Sequence, residues 1–168
     1  MDVEVFVEIC REGTILPKYA RPGDAGMDIF AAEDTIIRPG ETVIIPTGIK
    51  MAIPEGYEIQ IRPRSGISYN TLLRIANSPG TIDSGYRDEL GIIISNFSYI
   101  NYDRDKYDTD EFLTLDSKDN RMGTYKIKKG DRIAQMVLQR VPKIKLTIAD
   151  SIKDIGENRG GGFGSTGV

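Results

Sequence analysis

Short apolar runs separated by glycine- and proline-bearing turns recur along almost the whole of this 168-residue chain. Val3 to Cys10 alternates apolar residues with glutamate, Tyr57 to Arg62 alternates again, and Leu90 to Phe97 is almost continuously apolar. Turn sequences such as Arg38-Pro-Gly40 and Lys129-Gly-Asp131 stand between the runs. Alternation favours strands with one solvent face, whereas a continuous apolar run indicates a strand covered on both faces. Many short strands with regular turns predict an all-β sandwich or barrel.

The remaining segments add strands and one helical turn to this prediction. Glu41 to Pro54 is rich in valine, isoleucine and threonine and is interrupted by a proline and a glycine, which indicates two short strands or a bulged one. Gly123 to Ile148 predicts two or three more strands, again broken by turns. Only Ser68 to Arg74 is suited to a helical turn or two.

Composition limits the classes of function. A chain of this length buries a core without disulfides or metals, so Cys10 is expected to be a small core residue. Neither a membrane span nor a signal peptide is recognisable, which predicts a cytoplasmic protein without a membrane partner. The net charge of −3 argues against a nucleic-acid partner. Because the chain has no histidine, proton transfer must use a carboxylate or a tyrosine.

Residues 157–168 form a glycine-rich tail after a single domain of residues 1–156. The tail keeps a cation, an aromatic ring and two hydroxyl groups, on Arg159, Phe163, Ser165 and Thr166. Backbone N–H groups of glycine approach an anion closely, and an aromatic face can stack on a base. The composition predicts a flexible flap that becomes ordered on a phosphorylated nucleotide, with an unstructured tail as the alternative.

Ser98 to Tyr125 differs in composition from the rest of the chain. It holds four of the eight tyrosines and eleven charged residues, seven of them acidic. Such a segment is too polar to add much core, so it is interpreted as a surface insertion, either a hairpin or a loop. Aromatic rings among charges also suit a protein-binding surface.

Two clusters in the first half of the chain contain candidate binding residues. Asp28 lies in the apolar run Ala25 to Ala31, where a carboxylate must be paired, hydrogen-bonded or near a cation. Arg62 to Ser68 combines two arginines, a serine and a glycine ahead of a possible helix start, which suits a phosphate group. A serine that merely caps the helix is the alternative.

Two further clusters lie in the second half. Asn77 to Glu89 contains two turn sequences and predicts a tight hairpin whose backbone polar groups can pair with the edge of a base. Asp83 and Tyr86 project from the same turn. Gln135 lies among apolar residues of a predicted strand, as either a satisfied core amide or a ligand contact.

In order and combination, these clusters resemble the five motifs of the trimeric deoxyuridine triphosphatase (dUTPase) family, from residue 24 to residue 167. In chain order the matching segments are Ala-Gly-Met-Asp-Ile-Phe-Ala, Pro-Arg-Ser-Gly-Ile-Ser, Gly-Thr-Ile-Asp-Ser-Gly-Tyr-Arg-Asp-Glu-Leu, Arg-Ile-Ala-Gln-Met and Arg-Gly-Gly-Gly-Phe-Gly-Ser-Thr-Gly. The resemblance implies a distorted jelly-roll-like β-barrel and a homotrimer with sites at subunit interfaces. It also implies Mg²⁺-assisted hydrolysis of dUTP to dUMP and pyrophosphate, which keeps uracil out of DNA and supplies dUMP for thymidylate.

The resemblance further implies a role for each matched residue. Asp83 would be the general base for the water that attacks the α-phosphorus, and Asp28 would hold Mg²⁺ through water. The phosphate-binding set would be Arg64, Ser65, Gly66 and Gln135 with Arg159, Ser165 and Thr166 of the flap. The set for uracil and deoxyribose would be Asn77, Gly80, Thr81, Ile82, Tyr86 and Phe163.

The chain departs from the family pattern at Asp88, where glycine is usual, and by one residue fewer between Arg159 and Phe163. Its insertion, residues 98–125, resembles the extra segment of some bacteriophage-encoded members that bind regulatory proteins. Two alternatives to the triphosphatase remain. One is a dCTP deaminase-like enzyme of the same fold, and the other is a dual-role regulator that binds a protein partner through the insertion.

Overall fold

The structure, a computed structural model, describes residues 2–99, 112–158 and 160. Those residues contain twelve strands and one short helix. The strands are β1 (Phe6–Ile9), β2 (Lys18–Tyr19), β3 (Met27–Phe30), β4 (Thr35–Ile37), β5 (Thr42–Pro46), β6 (Ile49–Ala52), β7 (Tyr57–Arg62), β8 (Leu73–Ile75), β9 (Gly80–Ile82), β10 (Gly91–Asn96), β11 (Tyr125–Ile127) and β12 (Arg132–Arg140), and the helix α1 is Ser65–Asn70. The predicted all-β fold is confirmed. Among the described residues, no helix has the length and apolar character that crossing a membrane requires.

Antiparallel sheets surround one core. The larger sheet has the strand order β2-β3-β12-β7-β9 and the smaller one the order β5-β10-β8, while β1 pairs with β6 and β11 with β4. Both sheets contribute to a single cluster of buried residues that is dominated by isoleucine. β-Branched side chains pack well on a pleated surface, so this composition suits sheets that bury one face each.

Several predicted strands are confirmed, and one interpretation is wrong. β7 occupies the predicted segment, and Glu41 to Pro54 forms the two short strands β5 and β6. The expectation that Leu90 to Phe97 is covered on both faces fails, because burial alternates along β10: Ile92 and Ile94 are buried, whereas Ile93 is only half-buried. The apolar run therefore has one face in the core and one face that the chain itself covers only in part.

The helix begins and ends earlier than the sequence predicts. It spans Ser65 to Asn70 instead of Ser68 to Arg74, because Leu73 to Ile75 pairs with β10 as strand β8. The Ser65 side chain does not cap the helix, and Arg64 takes the N-cap position without a side-chain hydrogen bond. The serine hydroxyl is therefore not used for capping.

Two apolar segments lie outside the core. In β1, Phe6 and Ile9 are 67% and 56% exposed, and the neighbouring Cys10 is only half-buried, so its prediction as a core residue is wrong. Residues 141–148 form no strand, although Ile144, Leu146 and Ile148 alternate with polar residues. These three side chains are almost fully exposed. An alternating pattern forms a strand only when a partner edge is available, and among the described residues the backbone of this segment pairs only through the Val141 N–H, which donates to the Gly56 carbonyl at 2.9 Å.

The ends of the predicted insertion belong to the core, which corrects its boundaries. Ser98 and Leu113 are buried, and Tyr125 is fully buried as the first residue of β11. The Tyr125 hydroxyl accepts a hydrogen bond from the Leu72 N–H at 3.3 Å, and burial raises the pKa of this tyrosine. Tyr125 lies in the segment interpreted as a surface insertion, because sequence composition does not show which aromatic ring is buried. Residues 100–111 lie outside the described residues.

Candidate functional site

A row of polar side chains crosses the outer face of the larger sheet. Gln135 of β12 lies opposite Asp28 of β3 on one side and Arg62 of β7 on the other. Residues directly opposite in neighbouring strands project from the same face. The row therefore places a carboxylate, an amide and a guanidinium side by side, away from the isoleucine core.

Asp28 is a buried carboxylate whose two oxygens each contact an arginine. The Arg64 Nε donates to its Oδ1 at 2.9 Å, and the Arg132 Nη1 lies 3.5 Å from its Oδ2. Its side chain is 8% exposed, so these cations compensate a charge that water barely reaches. Arg132 was not assigned a role from the sequence, although it begins the fourth motif. Its proximity to Asp28 comes from the pairing of β3 with β12.

One pocket of about 380 Å³ gathers Asp28, Arg64 and Gln135. Gln135 is half-buried, and its side-chain amide forms no hydrogen bond to a described residue. Of the two interpretations left open for this glutamine, the free amide at a pocket wall favours the ligand contact over the satisfied core amide. The pocket thus offers a charged hydrogen-bond donor on Arg64 and a neutral one on Gln135.

Ser65 and Gly66 follow Arg64 at the start of α1, and both are exposed. Gly66 lines a different pocket, of about 520 Å³, which shares Arg64 and Arg132 with the first. A Cβ built on Gly66 meets no atom of the described residues within 4 Å, and the backbone there is not in the left-handed region. Nothing within the described part of the chain therefore requires glycine at position 66. The open space leaves room for a group from outside the chain.

Residues 77–89, named the hairpin segment, lie at the edge of the same sheet. The predicted β-hairpin itself is wrong, because β9 pairs with β7 and not with β8 or β10, its neighbours in the sequence. β9 pairs with β7, with Gly80 opposite Ile61 and Ile82 opposite Ile59. Gly80 is buried, and a Cβ there would lie 3.1 Å from the Asn77 Nδ2. The hairpin segment is therefore tightly packed where Asn77 meets Gly80, while Thr81 is exposed and Ile82 half-buried.

Asp83 and Tyr86 lie in the turn after β9. The Tyr86 N–H donates to the Asp83 carbonyl at 3.1 Å, and the Tyr86 hydroxyl donates to the Glu89 carbonyl at 3.0 Å. The tyrosine ring stays 40% exposed. The Asp83 carboxylate is exposed, forms no hydrogen bond with a described residue and faces a second pocket of about 440 Å³. It is an unoccupied acceptor, as a general base must be before its substrate binds.

Glu89 anchors the end of the hairpin segment, which sequence reasoning missed. Its carboxylate accepts from the Arg11 Nε at 2.6 Å and from the Gly48 N–H at 2.9 Å. The hydrogen bond from Arg11 lowers the pKa of Glu89 below the ordinary value of 4.5, against the opposing effect of partial burial. No local pattern identifies a partner that lies 78 positions away in the sequence.

Within one chain, the two groups of candidate residues do not converge. Since Ile82 lies opposite Ile59, the next residue, Asp83, lies near Glu58. Glu58 and Arg62, the β7 residue of the polar row, are four positions apart, which is about 13 Å along a strand. The flap candidates Arg159, Phe163, Ser165 and Thr166 lie outside the described residues.

The carboxylates of the site fit Mg²⁺ in one way only. No group of three or more metal-ligating acidic side chains exists among the described residues, so an all-protein cage is not offered there. Each Asp28 oxygen already accepts from an arginine but keeps a second lone pair. Asp28 therefore fits contact with a metal-bound water, consistent with an ion that retains part of its hydration shell and takes its other ligands from phosphates.

Known proteins share this sequence and fold. The family model described as dUTPase matches residues 12–105 and 119–167, which include every described candidate residue and leave only 106–118 unmatched in between. A deoxyuridine 5'-triphosphate nucleotidohydrolase from Alkaliphilus metalliredigens is 41% identical over 153 residues, covering 91% of this chain and 90% of the relative.

Solved structures agree with the sequence match. The dUTPase of Staphylococcus bacteriophage 80alpha with dUpNHpp has a TM-score of 0.85 and 34% identity, covering 98% of this chain and 99% of that one. A mutant dUTPase from phage phi11 of S. aureus, described with a structural Mg(II) ion, has a TM-score of 0.79 and 32% identity, covering 90% and 99%. With its fold, its motifs and most of its length matched, the chain belongs to the dUTPase family.

Proposed function

We propose that the protein hydrolyses dUTP to dUMP and pyrophosphate with the help of Mg²⁺. The observation that carries the proposal is the pocket in which Asp28, Arg64 and Gln135 meet, on the same sheet as the edge strand β9 and the turn that presents Asp83. The pocket suits a polyphosphate, whereas the edge strand and its turn suit a base and present a catalytic carboxylate. Family membership supports the pairing of these two elements in one reaction.

Asp83 acts as the general base. Its carboxylate is exposed and free of partners among the described residues, so it can orient a water and accept its proton as the oxygen attacks the α-phosphorus. Since the chain has no histidine, the proposed proton acceptor is a carboxylate.

Arg64, Ser65, Gly66 and Gln135 hold the phosphates. Arg64 keeps free N–H groups beyond the one that contacts Asp28, and the open space at Gly66 lets a phosphate approach the backbone. Bound Mg²⁺ would neutralise charge on the phosphates, and Asp28 would hold it through water. The arginines in turn keep Asp28 in place.

Specificity follows from the hairpin segment and Tyr86. Tight packing of Asn77 against Gly80 leaves little room at the edge where uracil would pair, so a 5-methyl group clashes. Cytosine would leave buried polar groups unpaired, since it presents a donor where uracil presents an acceptor. Tyr86, fixed through its hydroxyl, lies under the deoxyribose and excludes a 2′-hydroxyl group.

The complete site belongs to a homotrimer. Asp83 lies about 13 Å along the sheet from the phosphate pocket of its own chain, so we expect it to serve the pocket of a neighbouring subunit. Exposed apolar side chains of β1 and of residues 141–148 supply surface for such contacts. The glycine-rich flap would close last, with Phe163 over the uracil and Arg159, Ser165 and Thr166 on the γ-phosphate.

Pyrophosphate release from dUTP, dTTP, dCTP and UTP tests this function directly. The expected result is rapid release from dUTP alone. Release of ammonia from dCTP would instead identify the deaminase, and equal turnover of all four nucleotides would contradict the proposed role of the hairpin segment.

A regulatory partner for the insertion is a second proposal. Tyr99 and Phe112, which flank residues 100–111, are 78% and 45% exposed, so two aromatic rings face solvent at the ends of that segment. The 80alpha structure belongs to a study of phage dUTPases that control the transfer of virulence genes. Because residues 98, 113 and 125 lie in the core, the informative deletion removes residues 100–111 only. A host-lysate pull-down in which intact and deleted proteins capture the same proteins would contradict a docking role.

A further inference from the structure

An arginine just ahead of the second motif faces the phosphate pocket without an assigned role. Arg62 is the last residue of β7, directly opposite Gln135, which itself lies opposite Asp28. Arg62 also lines the pocket of about 380 Å³ that contains Arg64. Adjacent strands are about 4.8 Å apart, so an anion that Gln135 contacts lies within reach of a long arginine side chain.

The three arginines of this pocket differ in their partners. Arg64 and Arg132 both contact the buried carboxylate of Asp28. Arg62 contacts no carboxylate among the described residues. Its Nε and Nη2 donate instead to the side-chain oxygen of Gln60, at 3.2 and 2.7 Å. Two of its five N–H donors are thus used by a neutral acceptor, and three stay available.

Gln60 is in turn held by a neighbouring carboxylate. Its Nε2 donates to the Glu58 Oε1 at 2.7 Å, so Glu58, Gln60 and Arg62 form a ladder of alternate residues along the outer face of β7. The amide fixes the position of the guanidinium, yet it does not neutralise it as a directly bonded carboxylate would. An ordered cation with free donors is well suited to an incoming phosphate.

We propose that Arg62 is a further phosphate-binding residue of this site, positioned by Gln60 and Glu58. The inference rests on the proposed function, since dUTP supplies the anion. Arg62 adds a charged contact on the side of Gln135 away from Asp28. The ladder keeps the cation in place before the substrate arrives, so little side-chain entropy is lost on binding.

The first test compares Arg62→Gln with Arg140→Gln, an exposed arginine at the other end of the same sheet. Binding of a non-hydrolysable imido analogue of dUTP should weaken about tenfold to a hundredfold in Arg62→Gln, the usual effect of losing a charged hydrogen bond. Binding of deoxyuridine, which has no phosphate, should not change. The affinity of Arg62→Lys for the analogue should lie between those of Arg62→Gln and the wild type, and Arg140→Gln should match the wild type. Unchanged analogue binding in Arg62→Gln, or an equal loss for deoxyuridine, would overturn the proposal.

The second test addresses the ladder with an isosteric change. Gln60→Glu places a carboxylate on Arg62 and should weaken binding of the analogue, whereas Thr42→Glu adds the same charge at an exposed position of the smaller sheet and should have a much smaller effect. Equal losses in both variants would show a general charge effect and overturn the role of Gln60. Trimer size and thermal midpoint verify the fold of each variant.

A wild type that fails to turn over dUTP refutes the proposed function itself, whereas normal turnover with an unaffected Arg62→Gln refutes only this inference.

Discussion

The pocket proposed for the phosphates and the hairpin segment proposed for uracil lie on one sheet but are built differently. The pocket is organised around Asp28, a buried charge that two arginines contact, and its walls come from three paired strands. The hairpin segment lies at an edge, with an exposed Asp83 and a partly exposed Tyr86, and is anchored mainly at its end by Glu89. Among the described residues, Asp28, Arg64 and Gln135 meet in one pocket of a single chain, whereas the exposed Asp83 carboxylate finds no partner. We interpret the difference as that between a binding half-site and a half-site that serves another subunit.

The largest effect is expected from removing the base on the hairpin segment. Asp83→Asn should lower kcat by roughly 10²–10⁴-fold, the usual contribution of a general base, while binding of the imido analogue persists. Single-turnover kinetics and equilibrium binding measure the two quantities. Asp88→Asn, on the same hairpin segment and also exposed, is the control and should retain near-normal turnover. Near-normal turnover of Asp83→Asn would exclude Asp83 as the base.

Mixed trimers test whether the two half-sites come from different chains. As homotrimers, Asp83→Asn and Arg64→Gln should each be nearly inactive. In Arg64→Gln the buried Asp28 keeps its contact with Arg132. Random assembly of equal amounts should give intact sites in about a quarter of positions, and turnover should recover to that level. Recovery requires Asp83 and Arg64 of one site to belong to different chains. A mixture as inactive as its components, despite confirmed subunit exchange, would place both residues in the same chain.

Gly66→Ala should separate stability from binding in the pocket. Alanine is the better helix former, and its Cβ meets nothing among the described residues, so the free energy of unfolding should rise by up to about 1 kcal/mol. The same methyl group occupies the space proposed for a phosphate, so KM for dUTP should increase. Urea unfolding and steady-state kinetics measure the two effects, with Ser68→Ala in the same helix as the control. A variant that loses stability instead would show that Gly66 has a structural role.

The smallest effect is expected at the end of the hairpin segment. The folded pKa of Glu89 is lowered by Arg11, so its ion pair stabilises the protein above the ordinary value of 4.5 and is lost as pH falls through the folded value. Glu89→Gln should therefore be slightly less stable than the wild type at neutral pH, and the difference should vanish in acid. Thermal unfolding between pH 3 and pH 7 measures it. A difference that is independent of pH would exclude the ion pair as its source.

Much of the site could be predicted because its residues lie in short contiguous motifs. Asp28, Arg64 and Gln135 were each assigned from local sequence, and the structure brings all three to one pocket. Arg62 also belongs to a cluster identified from the sequence. The role proposed for it depends, however, on its position opposite Gln135 and on its hydrogen bonds to Gln60. Glu89 could not be found, because the partner that defines it is distant in sequence.

The sequence by itself determined the class of fold, the turns on either side of β9 and the order of the motifs. These features depend on side-chain alternation and on turns formed by neighbouring residues. Tertiary structure alone decided that Tyr125 fills the core while the alternating residues 144–148 form no strand. It also decided that Asp83 lies far from the phosphate pocket of its own chain. Burial and strand pairing depend on which distant surface is available, and a local pattern carries no record of that surface.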